Sequence, residues 1–123
     1  MGKKRSAVKD VRVCPRLRVM WSGEIALGPG RVDLLELIGQ TGSLRAAALQ
    51  MGMSYMRAWN LVKYTNRCFR RPLVETARGG RAGGGAQLTE LGREIVTLYR
   101  DMEKRSQSAV GQPWAELRKF LKK

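Results

Sequence analysis

The 123 residues are about one domain's worth of chain, and they carry 24 Lys+Arg against 10 Asp+Glu, a formal net charge of +14 with 43% apolar residues. With no histidine and only two cysteines, Cys14 and Cys68, the chain offers neither a His-based triad nor a Cys/His zinc site, and the thiols read as free in a reducing compartment. No apolar run approaches the roughly 20 residues of a membrane span, and no apolar stretch follows the basic N-terminus as a secretory signal requires. A cytoplasmic protein facing a polyanion, with no membrane partner, is expected.

In chain order, the opening MGKKRSAVKD leads a basic arm, expected to be flexible over residues 1–16. From Val11 to Trp21 apolar and polar residues alternate, with Leu17, Val19 and Trp21 on one side, which predicts a strand. Pro15 confines it to an edge or interrupts its start. Gly28-Pro29-Gly30 punctuates, and Pro29 suits the first turn of a helix over 29–41 with Val32, Leu34, Leu35, Leu37 and Ile38 facing a core. Gly42 closes that helix and Ser43 caps a short one from Leu44 to about Met51. Gly52 ends this, and Ser54 caps a third helix, about 55–69, whose Ala58, Val62, Thr65 and Phe69 share one face.

Pro72 to Thr76 predicts a short strand, the glycine-rich RGGRAGGGA (78–86) a tip, and Gln87-Leu88 the returning strand. Thr89 caps a long helix to about Ala109, on which Leu91, Ile95, Leu98 and Met102 repeat at 4-3-4 spacing, as in the seam of a helix pair. Gly111 and Pro113 break it. Residues 110–123 form a basic amphipathic tail in which Trp114, Leu117 and Leu121 share a face. The whole reads as mainly α with a small β-hairpin.

Charge is unevenly spread: the net is +6 over residues 1–18, −2 over 19–44, +7 over 45–81 and +3 over 82–123. A solvated helical surface normally mixes both signs, so the nearly acid-free 45–81 stretch favours a polyanion-binding face. It coincides with two short helices joined across Gly52-Met53, with alanines at their contact, the pattern of a helix-turn-helix. The second helix of such a unit enters the major groove with its N-terminal residues at base edges. Here those are Tyr55, Met56 and Arg57, then Asn60 and Lys63; Asn pairs with adenine and Arg with guanine. Arg45, Arg67 and Arg70 stand where phosphates are expected, Arg78 and Arg81 at the hairpin tip where a neighbouring minor groove or phosphates are, and the capping Ser43 and Ser54 are counted among the DNA-contacting residues. Trp59 weighs toward packing. The glycines are no P-loop, because no GK[ST] follows them; an RGG-type tract and a merely flexible tip stay open.

The residues TGSLRAAALQMGMSYMRAWNLVKYTN (41–66) and LVETARGGRAGGGAQLTELG (73–92) resemble the N-terminal DNA-binding domain of the ModE family, molybdate-responsive transcriptional regulators related to the LysR-type winged helix. The resemblance covers about residues 17–105 and makes Ser54, Tyr55, Trp59 and the glycines 79, 80, 83, 84 and 85 motif positions. It implies a winged helix-turn-helix over 17–109, a homodimer through the long helix by way of Leu91, Ile95, Leu98 and Met102, and promoter DNA as the ligand. The family's C-terminal oxyanion-binding modules have no counterpart in these 123 residues, so molybdate sensing by this polypeptide is not expected.

A DNA-binding transcriptional regulator is therefore expected, without catalytic residues, metal or cofactor. Two other readings stay open: an oxyanion- or molybdate-linked sensor or adaptor using backbone N–H groups of the glycine tip, and an architectural protein that binds DNA without sequence preference.

Overall fold

Three helices begin where a hydroxyl side chain accepts a backbone N–H that the helix itself leaves unpaired. The structure, a computed structural model, describes residues 10–77 and 85–122. Helix α1 (Pro29–Thr41) starts on a proline and buries Val32, Leu34, Leu35 and Ile38. Ser43 accepts from Ala46 N and opens α2 (Leu44–Met51); Ser54 accepts from Arg57 N and opens α3 (Tyr55–Cys68). Between them Gly52 takes φ 72°, the left-handed conformation a side chain resists, and this lets the chain turn within three residues. Ala47, Ala48 and Ala58 are essentially inaccessible, so the short side chains expected at the helix contact are what let α2 and α3 meet.

Strands β3 (Val74–Thr76) and β4 (Ala86–Leu88) pair antiparallel with Val74 opposite Leu88 and Thr76 opposite Ala86. Helix α4 (Glu90–Ala109) follows, its first turn capped by Thr89. Three helices, a hairpin and a long closing helix make a winged-helix-like fold, mainly helical as expected.

The N-terminal region differs from expectation. The strand predicted from Val11 to Trp21 is regular only at β1 (Val19–Trp21), and it turns back through Ser22-Gly23 into β2 (Glu24–Leu27), a strand not anticipated. Both turn residues have positive φ, 53° and 80°, the geometry of a two-residue hairpin. Trp21 is half exposed, apart from the half-buried Leu17 and Val19. Upstream, residues 11–18 keep the alternation without a partner strand: odd-numbered residues are half-buried and even-numbered ones exposed. The segment lies along α4, with the Tyr99 hydroxyl donating to Leu17 O at 2.7 Å and Gln107 Nε2 to Val13 O at 3.1 Å. Residues 10–16, placed by the sequence in a flexible arm, thus run beside α4; residues 1–9 lie outside the described residues.

Helix α5 (Gly111–Arg118) also departs from expectation, beginning at the glycine foreseen as a break and holding Pro113 in its first turn, where a missing N–H costs nothing. It buries no residue, and Leu117, Phe120 and Leu121 are exposed.

One charged cluster ties α4 to α1. The Arg100 guanidinium donates to Glu36 at 2.8 and 3.0 Å, to Asp33 at 2.7 Å and to Glu103 at 2.9 Å. The Arg100 hydrogen bond holds the Glu36 carboxyl below its ordinary value of 4.5 against the opposing effect of burial. A carboxyl depressed in the folded state adds stability that is complete above its unfolded pKa and is lost as pH falls through the folded one. Urea midpoints should therefore drop on acidification below about pH 4.5, by a contribution of about 1 kcal/mol for so solvated a pair. Arg100→Met should flatten that acid limb; an unchanged limb would assign it to other carboxylates.

Candidate nucleic-acid interface

Helix α3 presents opposite faces of opposite character. Ala58, Val62 and Thr65 point into the core, while Met56, Asn60, Lys63 and Arg67 recur at 4-3-4 spacing on the other side, all exposed. Tyr55 and Arg57 flank this stripe at the helix start and are exposed as well. Trp59 is half-buried against the core and stacks on Tyr55, ring centroids 6.4 Å apart and planes 21° apart. Arg45, from α2, lays its guanidinium over the Tyr55 ring at 4.8 Å. One continuous surface therefore joins Arg45, Tyr55 and the outward stripe of α3.

Ser43 and Ser54 sit at the starts of α2 and α3, where each side-chain oxygen accepts a backbone N–H at 3.0 Å. An accepting hydroxyl still has its own proton to donate, so capping and a phosphate contact are compatible. Arg70 is exposed just past α3. Arg78 and Arg81, with the glycines at 79, 80, 83 and 84, lie outside the described residues; Gly85 is exposed at the root of β4.

Among the described residues, ion pairs join Arg12 to Asp10, Arg100 to its three carboxylates, Arg105 to Asp101 and Lys119 to Glu116. None involves Arg45, Arg57, Lys63, Arg67, Arg70 or Arg71. Like charges gathered without counter-charges raise a positive potential over the surface, so this face is suited to an anion supplied from outside.

The root of the hairpin is fixed by residues whose role the sequence did not disclose. Asn66, near the end of α3, accepts from Leu73 N and Val74 N at 2.8 and 3.2 Å and donates to Val74 O at 3.1 Å. Its carboxamide thus sets where the chain leaving α3 becomes β3. From the other side, the Thr89 hydroxyl donates to Pro72 O at 2.8 Å, and Thr89 N reaches Leu73 O at 2.9 Å. Arg31 and Tyr64 were also missed: the Arg31 and Arg67 guanidiniums lie over the Tyr64 ring at 5.2 and 5.5 Å. Arg67 and Tyr64 are neighbours one turn apart on α3, but nothing local in the sequence pairs Arg31 with Tyr64.

On α4 the expected seam divides. Leu91 and Ile95 are half-buried against the chain's own core, whereas Leu98 and Met102 remain 51% and 43% exposed. The outer half of the stripe is therefore open to solvent. Among the described residues no helix is long and apolar enough to cross a membrane.

Comparison with known proteins finds relatives over most of the chain. Over 85 residues, 69% of its length, the chain is 45% identical to the molybdenum transport protein ModE of Azotobacter vinelandii. The chain is thus similar to ModE proteins across most of its length. It is also 42% identical over 90 residues to the molybdenum-pterin-binding protein MopB of Rhodobacter capsulatus, and 41% identical over 71 residues to the DNA-binding transcriptional dual regulator ModE of Escherichia coli K12. These stretches are 73% and 58% of the chain. The match spans only 32% of the Azotobacter ModE, 33% of MopB and 27% of the Escherichia coli ModE, about a third or less of each relative. No protein-family model matches the chain.

Proposed function

We propose that this chain is a ModE-like transcriptional regulator of molybdenum homeostasis that binds promoter DNA in the cytoplasm as a homodimer, with residues 17–109 as the DNA-binding unit. The observation that carries this reading is the outward stripe of α3 with its unpaired cations: a helix start bearing Tyr55, Met56 and Arg57, followed by Asn60 and Lys63, has the donors and acceptors of direct base reading. Arg45, Arg67, Arg70 and the hydroxyls of Ser43 and Ser54 stand around it as proposed phosphate contacts, and Arg78 and Arg81, in the glycine-rich stretch of the wing (about residues 73–88) but outside the described residues, are proposed to join them. The names of the relatives add molybdenum and DNA to this reading.

Replacing Asn60, whose side chain is exposed, with alanine should leave stability within about 0.5 kcal/mol. It should relax preference at one base pair by about 1–3 kcal/mol. Competition binding with single-base variants of a bound sequence reads this directly. An unaltered preference profile would take Asn60 out of the reading set.

The homodimer is proposed to form through the α4 stripe, because Leu98 and Met102 lack a partner in the chain's own core while continuing the line of Leu91 and Ile95. Leu98→Glu should give a folded monomer by sedimentation, since half of Leu98 already faces solvent. A dimer that survives this change would place the interface elsewhere.

A further inference from the structure

The unpaired cations do not stop at α3. From Arg67 the surface passes across the Tyr64 ring to Arg31 in the first turn of α1, whose Nη1 donates to Ile25 O at 2.6 Å and so holds this guanidinium beside the β1–β2 hairpin. Arg18 follows, its Cγ 3.9 Å from where a Cβ on Gly28 would stand. Beyond it the extended segment turns Arg12, Arg16 and Arg18 outward while Val13, Pro15 and Leu17 are half-buried. The anchors at Tyr99 and Gln107 are eight positions apart on α4, about 12 Å along its axis. The row thus runs along α4.

Arg16 and Arg18, two apart in an extended chain, lie about 6.6–6.8 Å from each other, a spacing comparable to that of successive phosphates on a nucleic-acid strand; Arg12, four positions before Arg16 with Cys14 between, stands about two such steps away. All three cations are arginine, whose planar fork grips phosphate oxygens in pairs. Arg12 has only the exposed Asp10, at 3.3 Å, as a partner, and Arg16 and Arg18 have none among the described residues.

Building on the DNA-binding reading above, we infer that Arg12, Arg16 and Arg18, reached by way of Arg67 and Arg31, form a phosphate track for DNA running past the segment that α3 and the hairpin cover. The track reads no bases; it extends the contact and steepens its salt dependence.

The test uses the full chain and random-sequence duplexes of 40 and 12 base pairs, the shorter about 40 Å long. The R12S/R16S/R18S variant should bind the 40-mer with a log K against log salt slope shallower by about 2–3 per protomer, at about 0.9 per phosphate lost. On the 12-mer it should match the wild type. A K104S/R118S/K122S control, which removes the same charge from exposed positions elsewhere, should keep the wild-type slope on the 40-mer. An unchanged slope in the R12S/R16S/R18S variant would overturn the track and leave the row to an acidic protein partner. Equal loss on both duplexes would put the row inside the main contact, and equal loss in the control would reduce it to overall charge; either result overturns the assignment. Absence of salt-dependent binding by the wild type would sink the DNA reading itself, a failure distinct from these.

Discussion

Gly92→Ala should destabilise the protein by about 3–5 kcal/mol, a large part of the 5–15 kcal/mol that holds a typical domain together. Gly92 is buried in the first turn of α4, and a Cβ there would overlap the carbonyl oxygen of Leu73, with the Leu73 carbonyl carbon only 3.0 Å away. The obstacle is backbone, so no rotamer change relieves it. Nor is that carbonyl free to move, since it accepts from Thr89 N at 2.9 Å and belongs to a fully buried residue. The L-T-x-x-G pattern at 88–92 thus has a physical meaning: Thr89 caps the helix, and Gly92 admits the strand end that Thr89 grips. Gly30→Ala is the matched control, in a helix position with nothing within 4 Å, and should be neutral or gain up to about 1 kcal/mol in helix propensity. Thermal unfolding of the two variants checks the contrast; similar melting temperatures would mean that α4 shifts freely over β3.

Asn66→Ala should cost about 2–4 kcal/mol. The substitution strands two backbone N–H groups, those of Leu73 and Val74, both residues being at most 3% exposed. An unsatisfied buried donor costs about 1–3 kcal/mol. The loss should be local as well as global: hydrogen exchange at the Leu73 and Val74 amides should accelerate more than at core amides of α1. Because Asn66 fixes where β3 leaves α3, the same variant should, on the proposed function, weaken the hairpin's contribution to DNA binding while leaving the base preference proposed for Asn60 intact. Uniform acceleration across the domain would show that Asn66 only adds stability and does not orient the hairpin.

These two residues show where sequence reasoning reaches and where it stops. Ser43, Ser54 and Thr89 were legible as caps because a cap is a bond across three residues, and Gly42 and Gly52 as helix ends because backbone handedness is local. The outward stripe of α3 was legible for the same reason: helical periodicity separates Asn60 and Lys63 from Ala58 and Val62 without knowledge of the rest of the fold. The contacts of Asn66 with β3, of Arg100 with Asp33 and Glu36, and of Tyr99 with Leu17 join residues 7 to 82 positions apart. Their chemistry becomes visible only once the topology has brought them together. The β1–β2 hairpin was a different case. Ser22-Gly23 carried a turn signal, but the alternation from Val11 to Trp21 suggested one strand, when only its last three residues pair and the rest rests on α4. Arg12 and Arg16 fell within the arm expected to be flexible over residues 1–16, whereas the hydrogen bonds from α4 to Val13 and Leu17 hold the chain there along the helix.

On the proposed function, α3 reads sequence in duplex DNA. Selection of bound sequences from a random duplex library, with the full chain at physiological salt, tests it most directly. An enriched inverted repeat, with half-sites about one helical turn apart or a multiple of it, is the predicted result, and its spacing would report the geometry of the dimer. Salt-sensitive binding with no enriched sequence would contradict the claim and leave a basic protein that holds DNA without reading it.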